Sequence, residues 1–409
     1  MVRCDAVIRR LCAGTAVSLV AALLLVACGA GSGSGGTASG ARTSDPAAAG
    51  AQNLRVSIDL ALSGHVMLLG RTTGAALGVR TTEFSAYGTA LHADDAHVAD
   101  AIAPGHDTPG QNRIASALTA FDKGALNYAT AVYTKDAGAQ QQAQAEMSTT
   151  YASQMQTALQ SVTHANPASL NRELTQQVTD TRTLIGAQAS GDWTTAYSAL
   201  GTAYAHSVSF GTALAQAMAR TAPGTYPGNP TSKDADLRTA LETALQAQVY
   251  LLGMAEAAGA GQRTTEQPAA AAAYAASTTA LGQAIDPAGT KLATAVTGNL
   301  TQAQAAAVGL AQATAQKDVA GVDTDQKALT QTLPQDYLAV AHGRLRIPKK
   351  QAQAASMAFG QALAGQAGAE GRQEGTPQLA ATAATAGATL GRQLSAALRS
   401  RYPAVYPTA

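Results

Sequence analysis

The sequence predicts an all-α protein, a tandem duplication of two antiparallel, up-and-down helical bundles. Three observations lead to this prediction. Apolar residues return every three to four positions from Leu54 onward, as in Ile58, Leu62 and Leu69, which is the period of an amphipathic helix. The sequence has no run of alternating β-branched residues long enough to indicate a sheet. A segment of the first half also recurs in the second half.

The repeat joins residues 54–83 to residues 237–266. The two segments read LRVSIDLALSGHVMLLGRTTGAALGVRTTE and LRTALETALQAQVYLLGMAEAAGAGQRTTE, align without a gap and are identical at 14 of 30 positions. The spacing of 183 residues continues from residues 92–104 to residues 275–287, and FGTALAQAMA matches the later LGRQLSAALR at a slightly shorter spacing. This agreement exceeds what an alanine-rich composition produces by chance, so we interpret the chain as a tandem duplication.

The N-terminal residues have the pattern of a secretory signal. Three arginines precede an apolar run that ends at Ala27, and the following junction, LVACG, resembles the lipobox of bacterial lipoproteins. In such proteins the cysteine is acylated and becomes the mature N-terminus. We therefore predict that residues 1–27 are removed and that Cys28 carries the lipid. The alternative is an uncleaved anchor helix, for which the apolar run is at the short end of the spanning range.

Residues 28–50 follow as a flexible tether, because Gly, Ser, Ala and Thr cannot bury enough apolar area to order the chain. The mature protein is expected at the outer face of the cell membrane, anchored by its lipid without spanning the bilayer. The first bundle is predicted at residues 51–221 and the second at residues 235–409.

The linker between the bundles is predicted at residues 222–234. Its three prolines and two glycines stop a helix. Asp234 or Asp236 is expected to cap the helix that follows. The breaks within each bundle indicate five or six helices, and their short connections favour antiparallel neighbours.

The charge balance and the cysteine content exclude several functions. Removal of the signal leaves 24 basic and 25 acidic residues with no basic block, which argues against nucleic acid as a partner. Cys28 is the one cysteine outside the signal, so thiol chemistry is excluded. The sequence contains no GxSxG, GxxxxGK[ST] or HExxH motif, and we predict that the protein is not an enzyme.

The stretch LHADDAHVAD at residues 91–100 concentrates histidine and aspartate. On a helix, His92 and His97 lie about 140° apart around the axis, which is unfavourable for one shared metal ion. The matching residues of the second half contain none of these five polar groups. We interpret the stretch as a solvent-facing helix surface, except for Asp94, which lies beside the apolar stripe and needs a partner.

A second hypothesis is a polar site inside the first bundle. His65 lies on the apolar stripe of the first helix and His206 lies beside that of the last helix, whereas their repeat counterparts are Gln248 and Ala386. Histidines inside a helical bundle are where a transition metal or haem is held, so we consider His65, Asp94 and His206 as candidate metal ligands. The alternative is a core histidine that is hydrogen-bonded to Asp94 or to a backbone carbonyl.

Four motifs, GHVMLLG, KDAGA, SGDWTTAY and AHSVSFGTAL, resemble an uncharacterised bacterial family of secreted or lipid-anchored helical-bundle proteins, mostly of Gram-positive type. That family has one histidine in each of four long helices, which implies a shared interior site. The first and last of these positions match His65 and His206, whereas the middle two match Phe121 and Gln177. The resemblance implies the fold and the compartment but no activity.

Two functions are therefore expected. The first is a membrane-anchored structural or protein-binding helical module, whose partner is an unidentified envelope protein or small ligand and which needs no cofactor. The alternative is a metal- or haem-binding carrier or sensor that uses the His and Asp residues of the first bundle.

Overall fold

The computed structural model describes residues 50–104 and 108–406, and every regular element in them is helical. The prediction of an all-α fold is therefore confirmed. The helices of the first half are α1 Gly50–Leu77, α2 Thr81–Ile102, α3 Thr108–Thr134, α4 Ala137–Ala145, α5 Ala152–Thr163, α6 Pro167–Ser190 and α7 Trp193–Thr221. Those of the second half are α8 Lys233–Ala260, α9 Glu266–Ile285, α10 Thr290–Gln316, α11 Val319–Lys327, α12 Leu333–Leu338, α13 Lys349–Gly371 and α14 Pro377–Arg401.

Short π-helical turns connect some of these helices without a break. Glu146–Tyr151 joins α4 to α5, and Ala328–Thr332 and Ala339–Arg344 lie on either side of α12. When each continuous run is counted as one rod, both halves have six rods in the same order. The paired helices α1 and α8 each have 28 residues, and α3 and α10 each have 27. The two halves therefore share the number and the order of their rods.

The predicted signal, Cys28 and most of the tether lie outside the described residues. Within residues 50–104 and 108–406, no helix is both long enough and apolar enough to cross a membrane.

Helices α1 and α8 form the centre of the fold. Nearly every residue of α8 is buried, as expected for a helix that is covered by other helices on all sides. Helix α1 packs against α2, α7 and α8, and α8 packs against α9, α14 and α1. The buried apolar residues of both halves form one continuous core, and the described residues all belong to one compact unit, Pro46–Ala409.

Glycines allow the closest helix contacts, at matching places in the two halves. A Cβ atom at Gly391 of α14 would lie 2.8 Å from the carbonyl oxygen of Leu241 and 2.9 Å from the backbone of Glu242 in α8. A Cβ atom at Gly211 of α7 would lie 3.2 Å from the backbone of Asp59 in α1. Any larger side chain would push these helices apart. Gly211 lies in FGTALAQAMA and Gly391 lies in the matching segment LGRQLSAALR.

The linker ends earlier than predicted, and a different residue caps α8. The helix begins at Lys233, and the hydroxyl of Ser232 accepts a hydrogen bond from the backbone N–H of Ala235 at 3.2 Å. The expectation that Asp234 or Asp236 caps this helix is wrong. Both acids lie in its first turn, where a negative charge is still favourable, and both pair with arginines elsewhere in the chain.

Polar contacts between the halves follow the spacing of the repeat. The guanidinium of Arg55 donates to Asp236 at 2.5 Å, and that of Arg238 donates to Asn53 at 2.6 Å. Residues 55 and 238, like residues 53 and 236, are 183 positions apart, so the two contacts are equivalent. Ser63 donates to the side chain of Gln246, its own counterpart, at 3.2 Å. The halves therefore meet about an approximate two-fold axis near these residues.

Candidate metal centre

His65 lies in the middle of α1 with its side chain only 1% exposed. Its Nδ1 atom is 3.2 Å from Oδ2 of Asp94 in α2, and its Nε2 atom is 3.1 Å from Oδ1 of Asp122 in α3. Both ring nitrogens therefore face carboxylates. Three helices of the first half, α1, α2 and α3, supply these groups.

Asp95 lies beside Asp94 in the sequence but turns further into the bundle. It is buried, and its Oδ2 atom accepts a hydrogen bond from the hydroxyl of Thr119 at 2.5 Å. One ligand atom from each of His65, Asp95 and Asp122 lies within 4.8 Å of the others. We refer to these three residues as the His65 cluster. A nitrogen and two carboxylate oxygens at this separation can surround one metal ion.

The His65 cluster has more buried carboxylate oxygens than its hydrogen bonds satisfy. Oδ1 of Asp95 and Oδ2 of Asp122 are buried and receive no hydrogen bond. Burial and the charge of Asp122 raise the pKa of Asp95 to about 7, although His65 opposes the shift. Burial likewise raises the pKa of Asp122, against the opposing effect of His65. Two buried acids that resist ionisation form a site where a cation would replace protons.

The pKa of the histidine in the cluster is also raised, which for an imidazole favours the charged form. Burial alone would lower the pKa of His65, but the carboxylates of Asp122 and Asp94 hold it well above its ordinary value. The carboxylates of Asp122 and Asp94 therefore favour the protonated form of the ring.

The structure brings together two of the three residues proposed from the sequence. His65 and Asp94 are in contact, and Asp94 pairs with the nitrogen of His65 opposite to the one that faces Asp122. His206 in α7 has different carboxylate partners: its Nε2 atom is 2.8 Å from Glu173 and its Nδ1 atom is 3.3 Å from Asp180, both in α6. His206 does not belong to the His65 cluster.

The stretch LHADDAHVAD is only partly a solvent-facing surface. His92 and His97 are exposed, as expected. Asp95 is 2% exposed, so the expectation is wrong for this residue. Asp95 lies four positions after Leu91 and three before Val98, both buried, and therefore falls on the same stripe.

Phe121 and Gln177, the two residues that the resemblance aligns with histidines, both contact Tyr151. Phe121 precedes Asp122, and its ring packs against that of Tyr151 with centroids 4.5 Å apart. The hydroxyl of Tyr151 donates to Oε1 of Gln177 at 2.6 Å. Tyr151 therefore joins Phe121 and Gln177.

The second half has an uncharged version of the same arrangement. Gln248 stands at the position of His65 and donates to the hydroxyl of Thr278, the counterpart of Asp95, at 3.4 Å. Helices α3 and α10 have the same length and begin 182 residues apart, so Gln304 stands at the position of Asp122. The fold thus holds one charged and one neutral copy of the same three positions.

A separate buried polar group lies where the two copies of the RTTE motif meet. Arg80 donates to Glu83 at 2.5 Å in one copy, and Arg263 donates to Glu266 at 2.6 Å in the other. Arg80 and Glu266 are 4.0 Å apart, which links the two copies. We refer to these four residues together with Arg71 as the RTTE centre.

Arg71 connects the RTTE centre to α13. Its Nε atom donates to Glu83 at 2.9 Å and its Nη2 atom donates to Glu370 at 2.6 Å. The guanidinium lies 4.0 Å from the centre of the Tyr87 ring, whose hydroxyl donates to Glu370. Burial would raise the pKa of Glu83, but Arg71, Arg80 and Arg263 hold it at about 2. The three arginines of the RTTE centre thus face three glutamates once Glu370 is included, in contrast to the acidic His65 cluster.

Comparison of the chain with protein-family models, with curated proteins and with solved structures finds no match.

Proposed function

We propose that the chain is a lipid-anchored helical protein at the outer face of the cell membrane, and that its first half binds one divalent transition-metal ion. His65, Asp95 and Asp122 would hold the ion. The observation that carries this proposal is the convergence of their three ligand atoms within 4.8 Å, at a buried place where two carboxylate oxygens receive no hydrogen bond. Buried acids in proteins are ordinarily paired or bound to metals.

The donor set indicates the class of ion. One imidazole nitrogen with carboxylate oxygens suits Zn²⁺, Mn²⁺ or Fe²⁺. Haem iron is instead held by residues such as histidine, cysteine or methionine, and two aspartates are not its usual ligands. Asp94 supports this assignment from outside the ligand set. It faces Nδ1 of His65 at 3.2 Å and would orient the ring while Nε2 binds the ion.

The test is a titration of the purified exported protein, residues 51–409, with Zn²⁺ and with Mn²⁺ by calorimetry. We expect one site, and we expect Asp122→Asn to weaken binding about 100-fold, because loss of an outer-shell partner alone costs 10- to 100-fold. Thr278→Val, at the neutral copy of the site, is the matched control and should leave binding unchanged. No binding by the wild-type protein would refute the metal site and leave the structural or protein-binding module predicted from the sequence.

The membrane anchor has its own test. Cys28→Ser removes the predicted acylation site, so the protein should move from the membrane fraction to the soluble exported fraction, because the signal alone would no longer hold it. Cell fractionation with mass measurement of the mature N-terminus would show this. A variant that stays in the membrane with residues 1–27 attached would indicate an uncleaved anchor instead.

A further inference from the structure

One turn of α2 carries both buried and exposed polar side chains beside His65 of α1. The side chains of His65 and Asp95 are 1% and 3% exposed, that of Asp94 is 17% exposed and that of His92 is 61% exposed. Nδ1 of His92 lies 3.3 Å from Oδ2 of Asp95. His92 is therefore an exposed imidazole in direct contact with a buried metal ligand.

The two carboxylate oxygens of Asp95 have different surroundings. Its Oδ2 atom contacts His92 and the Thr119 hydroxyl, whereas its buried Oδ1 atom receives no hydrogen bond. A carboxylate oxygen of Asp95 also lies within 4.8 Å of one from the interior acid, Asp122. An ion held by His92 would already be beside a carboxylate that belongs to the His65 cluster.

We propose that His92 is the residue through which a metal ion enters the His65 cluster: the ion binds first to the exposed imidazole together with Asp95 and then moves inward to His65 and Asp122. This inference rests on the proposed function. It assigns His92 a role in the rate of loading rather than in the final ligand set, because its ring contacts Asp95 from the solvent side. The process breaks no covalent bond and needs no other reactant.

The experiment compares His92→Gln with His97→Gln in residues 51–409. Both histidines are exposed and lie on the same helix, but the contact with Asp95 is made by His92. Association and dissociation of Co²⁺, followed by stopped-flow absorbance, should both become about tenfold slower in His92→Gln, the lower end of the range for lost local steering. The equilibrium Kd should stay within about twofold of the wild-type value, and His97→Gln should behave as the wild type.

Two results would overturn the proposal while leaving the metal site intact. One is an unchanged association rate in His92→Gln. The other is a faster dissociation with a weaker Kd, which would make His92 an ordinary ligand of the bound ion. If the wild-type protein binds no Co²⁺, Zn²⁺ or Mn²⁺, the proposed function itself fails.

Discussion

Arg71→Met should lower the free energy of unfolding by about 3 to 5 kcal/mol, the usual cost of breaking a buried ion pair from one side. The substitution places in α1 the residue that α8 has at the equivalent position, Met254. It leaves Glu370, whose side chain is 3% exposed, without its guanidinium partner, and it leaves Glu83 paired with Arg80. Urea unfolding followed by circular dichroism would measure the loss.

The matched control for this prediction is Arg372→Met. Arg372 also pairs with a glutamate, Glu374, but its side chain is 54% exposed, so its loss should cost less than about 1 kcal/mol. Adding Glu370→Gln to Arg71→Met should recover part of the stability, because the second change removes the unpaired charge. A loss as small as that of Arg372→Met would mean that the RTTE centre contributes little to the fold.

Glu256→Gln should make the protein more stable at pH 9 than the wild type by a few kcal/mol, with little difference at pH 5. Burial and the charge of Glu370 raise the pKa of Glu256 to about 8, although Gln366 and Arg71 oppose the shift. Each unit of such a shift is worth about 1.4 kcal/mol. The amide of glutamine can keep the hydrogen bond that Gln366 donates to this position at 3.1 Å.

The direction of this pH dependence of stability follows from proton linkage. Between the ordinary pKa of 4.5 and the folded value of about 8, the folded state holds a proton on Glu256 that the unfolded state has lost. Its contribution is therefore fully present below about pH 4.5 and is lost as the pH rises through about 8. Urea unfolding at pH 5, 7 and 9 would measure the difference. Glu374→Gln, at an exposed acid with a lowered pKa, should leave the slope over this range unchanged. Parallel pH profiles for Glu256→Gln and the wild type would contradict the prediction.

The helices were predictable because their signals are local. The apolar period from Leu54 onward and the prolines near residue 227 decide where rods begin and end without any knowledge of their neighbours. Packing between the halves was not predictable. It depends on contacts such as Arg55 with Asp236, whose partners are far apart in the sequence and are each typical of an exposed helix surface.

The site was predictable where a polar residue interrupts an apolar stripe, which is how His65 and Asp94 were found. The same criterion applies to Asp95 and to Asp122, which lies four positions after the buried Leu118. It gives the candidates but not the grouping, because the period of a helix does not say which neighbour its stripe faces. His206 met the criterion and yet pairs with Glu173 and Asp180 in α6.

The approximate two-fold arrangement of the halves has an evolutionary consequence. In a dimer of two identical chains, each mutation of the gene changes both sides of the axis at once, so two Arg71 side chains would face the same buried centre. Here the two sides are encoded separately, and a mutation alters one side alone. Arg71 opposite Met254, and His65 opposite Gln248, are differences that a dimer of identical chains cannot acquire.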